Sequence, residues 1–304
     1  MQAELAEARK YWMGRGWSVD LEVTCAPGDA RRLAQAAAEA GLDAVLIAGG
    51  DGTLNEAVNG LVGTQTALGV LPCGTANVWA RQLNLPLSSR GLLDASRLLA
   101  EADAPAVDVG RVTADAGSAH ATTRYFLLWS GLGLDAFVTR SLEPRPASFK
   151  RWGAIGYSLA ALRAALAYRS VQADLEIDGQ RIAERVVLIV VSNAPLYAGY
   201  FHLAPGARVD DGWLEVSVFA GHGFLAAAGH FARMLLRRYG RDPRPATYRA
   251  RYARVTTRGV CHIHVDAEPI GATPAEFAIV PRALRALAPA SAPASLFTSS
   301  QEAK

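Results

Sequence analysis

Apolar and polar positions in the first hundred residues of this chain fall into two alternating rhythms. Residues 2–16 are spaced as a helix ended by Gly14 and Gly16, and the alternating run 19–24 reads as a strand closed by Pro27 and Gly28. Asp29 stands where a helix N-cap belongs, and residues 30–40 form an Ala- and Leu-rich helix that stops at Gly41. Residues 43–48 are a short apolar strand running into Gly49, Gly50, Asp51 and Gly52, with a helix over 54–61 directly behind. A second apolar strand, 67–71, enters Pro72, Cys73, Gly74 and Thr75 and opens a helix over 77–83. Strands and helices alternating through short loops predict an α/β unit with a parallel sheet.

The rhythm changes after Pro105. Strand-like runs at 106–112, 124–129, 173–177, 185–191, 213–219, 254–257, 261–265 and 276–279 dominate, interrupted by two long helical patterns at 154–168 and 224–239. The expected organisation is an α/β domain over residues 1–105, a mostly antiparallel β-domain with helical insertions over 106–287, and a tail over 288–304. That tail is rich in Ala, Ser and Pro and is expected to be poorly ordered beyond about residue 290.

Composition narrows the classes without naming one. The 304 residues are 51% hydrophobic and 19% charged, enough apolar side chain for full cores. A formal charge of +3 is too small for a chain that coats nucleic acid, and a mean hydropathy of +0.12 is too low for a multi-pass membrane protein. Cys25, Cys73 and Cys261 are far apart and form no metal or disulfide pattern, and the N-terminal residues carry acids rather than an apolar signal segment. A cytoplasmic protein is expected, with any membrane contact peripheral.

The chemistry is concentrated in the glycine turns. Three glycines between an apolar strand and a helix let backbone N–H groups approach an anion, and the helix N-terminus favours its charge. Asp51 inside that turn is costly beside phosphate unless it holds a metal or a proton; the plain alternative is a tight turn with Asp51 as N-cap. The second turn offers Thr75 and Asn77 at the next helix start, so two adjacent turns would form one crevice at a sheet end. The chain has only Lys10, Lys150 and Lys304, none behind a glycine loop, and no GxGxxG pattern, so the common nucleotide-loop classes are excluded.

These motifs resemble those of the diacylglycerol kinase catalytic-domain family of lipid kinases, and within it the bacterial YegS-like branch. The family loop GGDGTxNE is matched at 49–56 and LGxxPxGTxN at 68–77; Asp108-Val109-Gly110 is similar to the strand entering the second domain. The segment with Asp210-Asp211-Gly212 resembles the family's PxAxxxDGxL, and Asp266-Ala267-Glu268-Pro269 its DGEP. The resemblance implies an ATP- and Mg²⁺-dependent kinase acting on a hydroxyl of a membrane lipid of diacylglycerol, phosphatidylglycerol or sphingoid type. It implies ATP contacts from Thr24, Gly49, Gly50, Asp51, Gly52, Thr53, Leu54, Asn55, Glu56, Gly74, Thr75 and Asn77. It implies Asp266 as general base, with Asp51 as the alternative, and Glu268 as a magnesium neighbour. A structural magnesium ion would be held by Asp211 and by the backbone oxygens of Arg208 and Trp213. The chain departs from the family at Ala267, where glycine is usual, and at Val78, where an acid is frequent, and it is expected to lack the family's first strand.

Basic charge is uneven. Residues 225–260 hold nine arginines and one acid, Asp242, and a helix carrying Phe224, Leu225, Phe231, Met234 and Leu235 beside Arg233, Arg237 and Arg238 suits an anionic membrane surface. The alternative is a helix that packs its apolar side on the β-domain. His262 and His264 read as a surface pair with no chemical role, and Phe137, Leu142, Phe149, Trp152, Ile155, Tyr157 and Leu159 as candidates for an acyl cleft or a core. Two other readings remain: an NAD kinase- or phosphofructokinase-like enzyme with a soluble acceptor, since both share GGDGT, and a nucleotide- or lipid-binding protein without catalysis.

Overall fold

The computed structural model describes residues 2–87, 91–141, 166–235, 246–266 and 268–298. The chain begins with α1 (Gln2–Gly14) and α2 (Asp29–Glu39), then β1 (Ala44–Gly49), α3 (Asp51–Leu61), β2 (Ala67–Pro72), α4 (Val78–Gln82) and α5 (Gly91–Leu99). β1 and β2 are parallel, pairing Ala44 with Ala67 and Gly49 with Pro72, so both glycine turns leave the sheet at the same end. Leu54, Val58 and Leu61 point from α3 onto this sheet and are at most 2% exposed, as their helical spacing requires.

The remaining strands are β3 (Ala106–Ala114), β4 (Thr122–Phe126), β5 (Trp129–Gly133), β6 (Val171–Ile177), β7 (Gln180–Ser192), β8 (Leu196–Tyr197), β9 (Phe201–His202), β10 (Leu214–Ala220), β11 (Ala246–Ala250), β12 (Tyr252–Thr257), β13 (His262–Val265), β14 (Glu268–Ala272) and β15 (Ala275–Ala286). Among the described residues the helices α6 (Leu134–Ser141) and α7 (Gly223–Leu235) lie between them. All their pairings with one another are antiparallel; the exception is the end of β15, which turns to run parallel to β2 and joins the two regions into one sheet. β7 is covered on both faces. Leu188 and Val190 enter the core shared with the α/β region, while Ile189 and Val191 enter the core of the β-region, which explains its unbroken apolar run. Among the described residues no helix is long and apolar enough to cross a membrane.

Three expectations are corrected. Residues 19–24 form no strand: β1 is the last strand of the sheet at its end, no described edge pairs with them, and Leu21 and Val23 are exposed. The run 124–129 is two strands, because the chain turns at Leu127 and Leu128 so that β4 pairs with β3 while β5 pairs with β7 and β13. The chain after Ala288 is packed as far as Thr298: Leu296 is buried, its carbonyl accepts the Val209 N–H, and Asp210 accepts both the N–H and the hydroxyl of Thr298 at 2.7 and 2.8 Å. The helical pattern 154–168 lies largely outside the described residues, as do Leu142, Phe149, Trp152, Ile155, Tyr157, Leu159, Arg237, Arg238 and Ala267.

Candidate active site

The two glycine turns cross in van der Waals contact. A Cβ on Gly74 would lie 2.5 Å from the Gly50 Cα and 2.8 Å from Asn77 Oδ1, so the second turn passes over the first only because Gly74 has no side chain. Asn77 takes a left-handed conformation with φ of 47° and closes the second turn on itself. Its Oδ1 accepts the Gly74 N–H and its Nδ2 donates to the Gly74 carbonyl, both at 2.8 Å. Asp51 links the turns: its Oδ1 accepts the Val78 N–H at 2.7 Å and caps α4. Burial pushes the Asp51 carboxyl above its usual range, against the N–H groups of Val78, Trp79 and Asn77 that favour its charge. Two helix N-termini thus converge on backbone stripped of side chains, a cradle suited to a polyphosphate.

One turn further along α3, the catalytic candidates from distant sequence meet. Asn55 is 4% exposed and donates through Nδ2 to Asp266 Oδ2 at 2.7 Å and to the Tyr125 carbonyl at 3.2 Å. The other Asp266 oxygen accepts the Trp129 N–H at 3.0 Å, and the Asp266 N–H donates to the Trp129 carbonyl at 3.0 Å. Asp266 is 5% exposed, with a positive φ of 44° at the turn between β13 and β14. Burial raises its pKa to about 7; the hydrogen bonds from Trp129 and Asn55 oppose that rise, while the Asp51 charge adds to it. Asn59, one turn beyond Asn55, donates to the Tyr125 carbonyl and accepts the Tyr125 N–H, both at 2.9 Å, tying α3 to β4. Glu268 reaches the opening turn of the same helix, where a Cβ on Gly52 would lie 3.2 Å from its Oε1.

Beside Asp266 stands a polar group that the sequence reading passed over. His264 is 1% exposed, not a surface residue, because β13 is flanked by β5 and β14. Its Nε2 lies 2.7 Å from Asp135 Oδ2, which also accepts the Tyr197 hydroxyl at 2.6 Å. Burial pushes the Asp135 carboxyl up, but His264 and Tyr197 outweigh it and hold the group below its ordinary value. Gly131 makes the space: a Cβ there would lie 2.3 Å from His264 Nε2 and 2.8 Å from Asp135 Oδ2. The run Gly131-Leu132-Gly133-Leu134-Asp135 carried this signal, a glycine on a buried strand close before an acid.

The residues 208–213 gather in a separate cluster. Asp108 is fully buried and accepts the Gly212 N–H at 2.6 Å and the Arg282 N–H at 2.7 Å. Asp211 accepts the Trp213 N–H at 3.1 Å, and its Oδ2 is 2.5 Å from an Arg249 guanidinium nitrogen. Arg249 also lies 3.5 Å from Glu215 and, with Arg251, stacks on Trp213. Burial raises the carboxyls of Asp211 and Glu215, with Arg249 opposing it. Arg249 thus already neutralises one oxygen of Asp211, the carboxylate expected, with the Arg208 and Trp213 carbonyls, to hold a magnesium ion.

The fold therefore brings Gly49, Gly50, Asp51, Gly52, Thr53, Asn55, Gly74, Asn77, Asp266 and Glu268 to one place. The remaining predicted residues are placed differently. Thr24 lies on the exposed, unpaired segment, and Thr75 is exposed at the second turn. The Leu54 side chain is in the core, and Glu56 Oε2 accepts the Ala30 N–H at 3.1 Å, capping α2.

Comparison with known proteins gives a consistent picture. Residues 1–112 match the diacylglycerol kinase catalytic domain, and residues 130–288 match the YegS C-terminal NAD kinase beta sandwich-like domain. The chain is 37% identical over 226 residues to a Chromohalobacter salexigens protein named "Probable lipid kinase YegS-like", covering 71% of this chain and 67% of that one. It is 27% identical over 289 residues to a diacylglycerol kinase of Bacillus subtilis, covering 94% of this chain and 90% of that one. The fold is similar to the crystal structure of a diacylglycerol kinase from Bacillus anthracis, with a TM-score of 0.69, 24% identity, and coverage of 88% and 85% of the two chains.

Proposed function

The chain belongs to the diacylglycerol kinase catalytic-domain family, in its YegS-like branch, and on that premise we propose that it transfers the γ-phosphoryl group of ATP to a hydroxyl of a membrane lipid. The observation that supports this most directly is the junction of Asn55 and Asp266. A carboxylate poised near neutral pH is fixed to the helix whose N-terminus, with the crossed glycine turns, suits a polyphosphate.

In this reading residues 1–105 hold the nucleotide and 106–287 present the lipid. ATP phosphates lie against the backbone of Gly49 to Asn55 and of Gly74 to Asn77, with Thr24, Thr53, Thr75 and Glu56 at the edge of the site. Asp266, deprotonated, takes the proton of the lipid hydroxyl as its oxygen attacks the γ-phosphorus and the bond to ADP breaks. Asn55 and the Trp129 N–H orient that carboxylate. Asp51 and Glu268 are the acids that would hold a magnesium ion beside the nucleotide phosphates, where it would supply charge neutralisation. Diacylglycerol, phosphatidylglycerol and sphingoid bases are the acceptor candidates.

Access to the acceptor is peripheral. α7 packs inward through His230, whose ring meets Phe219 at 5.2 Å, and shows Leu225 and Phe231 outward, 84% and 53% exposed. That outward face, with Arg233 in the last turn of the same helix, is the surface proposed to rest on anionic lipid.

The test is transfer of labelled γ-phosphate from ATP and Mg²⁺ to a panel of mixed-micelle lipids and to NAD, with wild type and Asp266→Asn compared. Labelling of one lipid by wild type alone is expected. Labelling of NAD without any lipid would assign a soluble acceptor instead, and ATP binding with no labelled acceptor would favour a binding protein.

A further inference from the structure

A surface depression of about 460 Å³ lies at the end of the β-region where β6 begins and β12 turns toward β13, lined by Arg169, Ser170, Val171, Gln172, Arg185 and Arg258. Backbone contacts fix its walls. The Arg258 N–H donates to the Gln172 carbonyl at 2.9 Å, Arg185 Nη1 to the Ser170 carbonyl at 3.3 Å, and the Gly221 N–H to the Arg185 carbonyl at 2.9 Å. Three arginines therefore line one concavity whose lining holds no acid, the Arg185 guanidinium donating to the Ser170 carbonyl. Some arginines elsewhere have carboxylate partners, as in Arg15 with Glu101, Arg97 with Asp94, Arg249 with Asp211 and Arg254 with Glu276, while others donate to carbonyls, as Arg9 and Arg81 do. Among the described residues none of the three lining arginines has a carboxylate partner. Three clustered cations repel one another, and a multiply charged oxyanion with several acceptor oxygens relieves that repulsion.

The surroundings of the depression narrow the anion further. Leu166 precedes Arg169 by three residues and is 57% exposed; Val260 follows Arg258 by two residues and is 71% exposed. Leu225, 84% exposed, stands on α7 just after Gly221. Large apolar side chains left in water beside arginines that have no carboxylate partner suit an interface between headgroups and acyl chains better than a site for a free aqueous anion. The site is also distinct from the catalytic one. Trp129, bonded to Asp266, pairs with Ser192 on β7, and Arg185 lies seven residues along that strand, roughly 20 Å away.

We propose that the depression formed by Arg169, Arg185 and Arg258 binds the headgroup phosphate of an anionic phospholipid that is not the molecule being phosphorylated, with Leu166, Val260 and Leu225 at the acyl boundary. The proposal rests on the reading that the substrate is a membrane lipid. Its ligand chemistry, a phosphate ester, is shared by free phosphate compounds, so the test separates the two sources.

The experiment is co-sedimentation of the full chain with phosphatidylcholine vesicles, with and without phosphatidylglycerol. Wild type is compared with the triple variant R169A/R185A/R258A and the charge-conserving R169K/R185K/R258K. All three side chains are exposed, and circular dichroism checks that the variants fold. Wild type is expected to bind the anionic vesicles at least tenfold better than the neutral ones. The alanine variant is expected to lose most of that preference, and the lysine variant to recover only part of it, since lysine lacks the planar fork. Equal binding of all three proteins to anionic vesicles, or full recovery by lysine, overturns a specific site. Binding of inorganic phosphate by wild type in calorimetry, with no arginine-dependent vesicle binding, overturns the headgroup assignment in favour of a soluble ligand. Phosphoryl transfer to a short-chain acceptor in detergent is measured in parallel. Its absence from every protein counts against the kinase reading, while the vesicle result alone decides the phosphate site.

Discussion

Asn55 Nδ2 donates a 2.7 Å hydrogen bond to Asp266 Oδ2, joining the helix behind the glycine turn to a carboxylate 211 residues away. That bond, with the one from the Trp129 N–H, opposes the effect of burial on Asp266 and leaves its pKa at about 7. In the proposed role of accepting the lipid proton, Asp266 would work only when ionised, so kcat is expected to rise with pH through about 7 and then level. Asp266→Asn is expected to lower kcat by about 10²- to 10⁴-fold with little change in ATP affinity. A variant that keeps the wild-type pH profile would remove Asp266 from the mechanism.

The same group makes stability depend on pH. Folded Asp266 binds its proton more tightly than an ordinary aspartate of pKa about 4, so the native state holds more protons than the unfolded state between those values. Its contribution therefore weakens as pH rises from about 4 to about 7. Thermal melts of Asp266→Asn and wild type are expected to differ most in the variant's favour above pH 7, and the difference should shrink toward pH 4.

Asn55→Ala removes the side-chain donor that favours the Asp266 charge. The kinetic midpoint near pH 7 is expected to move upward and kcat to fall, with the Trp129 N–H still in place. A full pH–rate profile checks this, and a midpoint that moves down would contradict the proposed role of Asn55.

Gly74→Ala tests the crossing of the two turns. Its methyl group would sit 2.5 Å from the Gly50 backbone, which cannot yield as the end of a flexible side chain can. The expected result is a rise in the ATP dissociation constant of about tenfold or more, about 1.4 kcal/mol, measured by nucleotide titration.

Gly131→Ala would force a methyl group against His264 Nε2 and Asp135 Oδ2 and separate that buried pair. A loss of about 1–3 kcal/mol in urea unfolding is expected. Gly229→Ala in α7 is the control, since its nearest neighbour is the Arg233 guanidinium at 3.6 Å and the helix gains from alanine.

Arg249→Ala addresses the acidic cluster. With Arg249 on Asp211, added magnesium is expected to shift the melting temperature of wild type little. Without it the half-buried carboxylate lacks its cation, and a magnesium-dependent rise in melting temperature is expected. Equal magnesium shifts in both proteins would show that Arg249 does not exclude the metal.

Local rules were enough for the elements that depend on neighbours in sequence. The strands and glycine turns around Gly49 and Gly74 were legible because apolar periodicity, a glycine and a helix start all occur within a few residues. The division of β7 between two cores was visible as an apolar run, though not what covered each face. Elements that need a distant partner were misread or missed. Residues 19–24 have strand composition but pair with no strand among the described residues, β11 hides within an arginine-rich stretch, and β15 continues past its apolar run because β2 offers a parallel edge.

The sequence by itself singled out the candidate residues, since Gly49 to Glu56, Asp211 and Asp266 stand in recognisable local patterns. Only the tertiary structure decided their surroundings. Chain folding from 211 residues away placed Asn55 on Asp266, buried His264 on Asp135 in the space left by Gly131, and set Arg249 on Asp211. Charge, proton affinity and metal access are fixed by desolvation and by partners brought from other strands, and no pattern along a single segment encodes those.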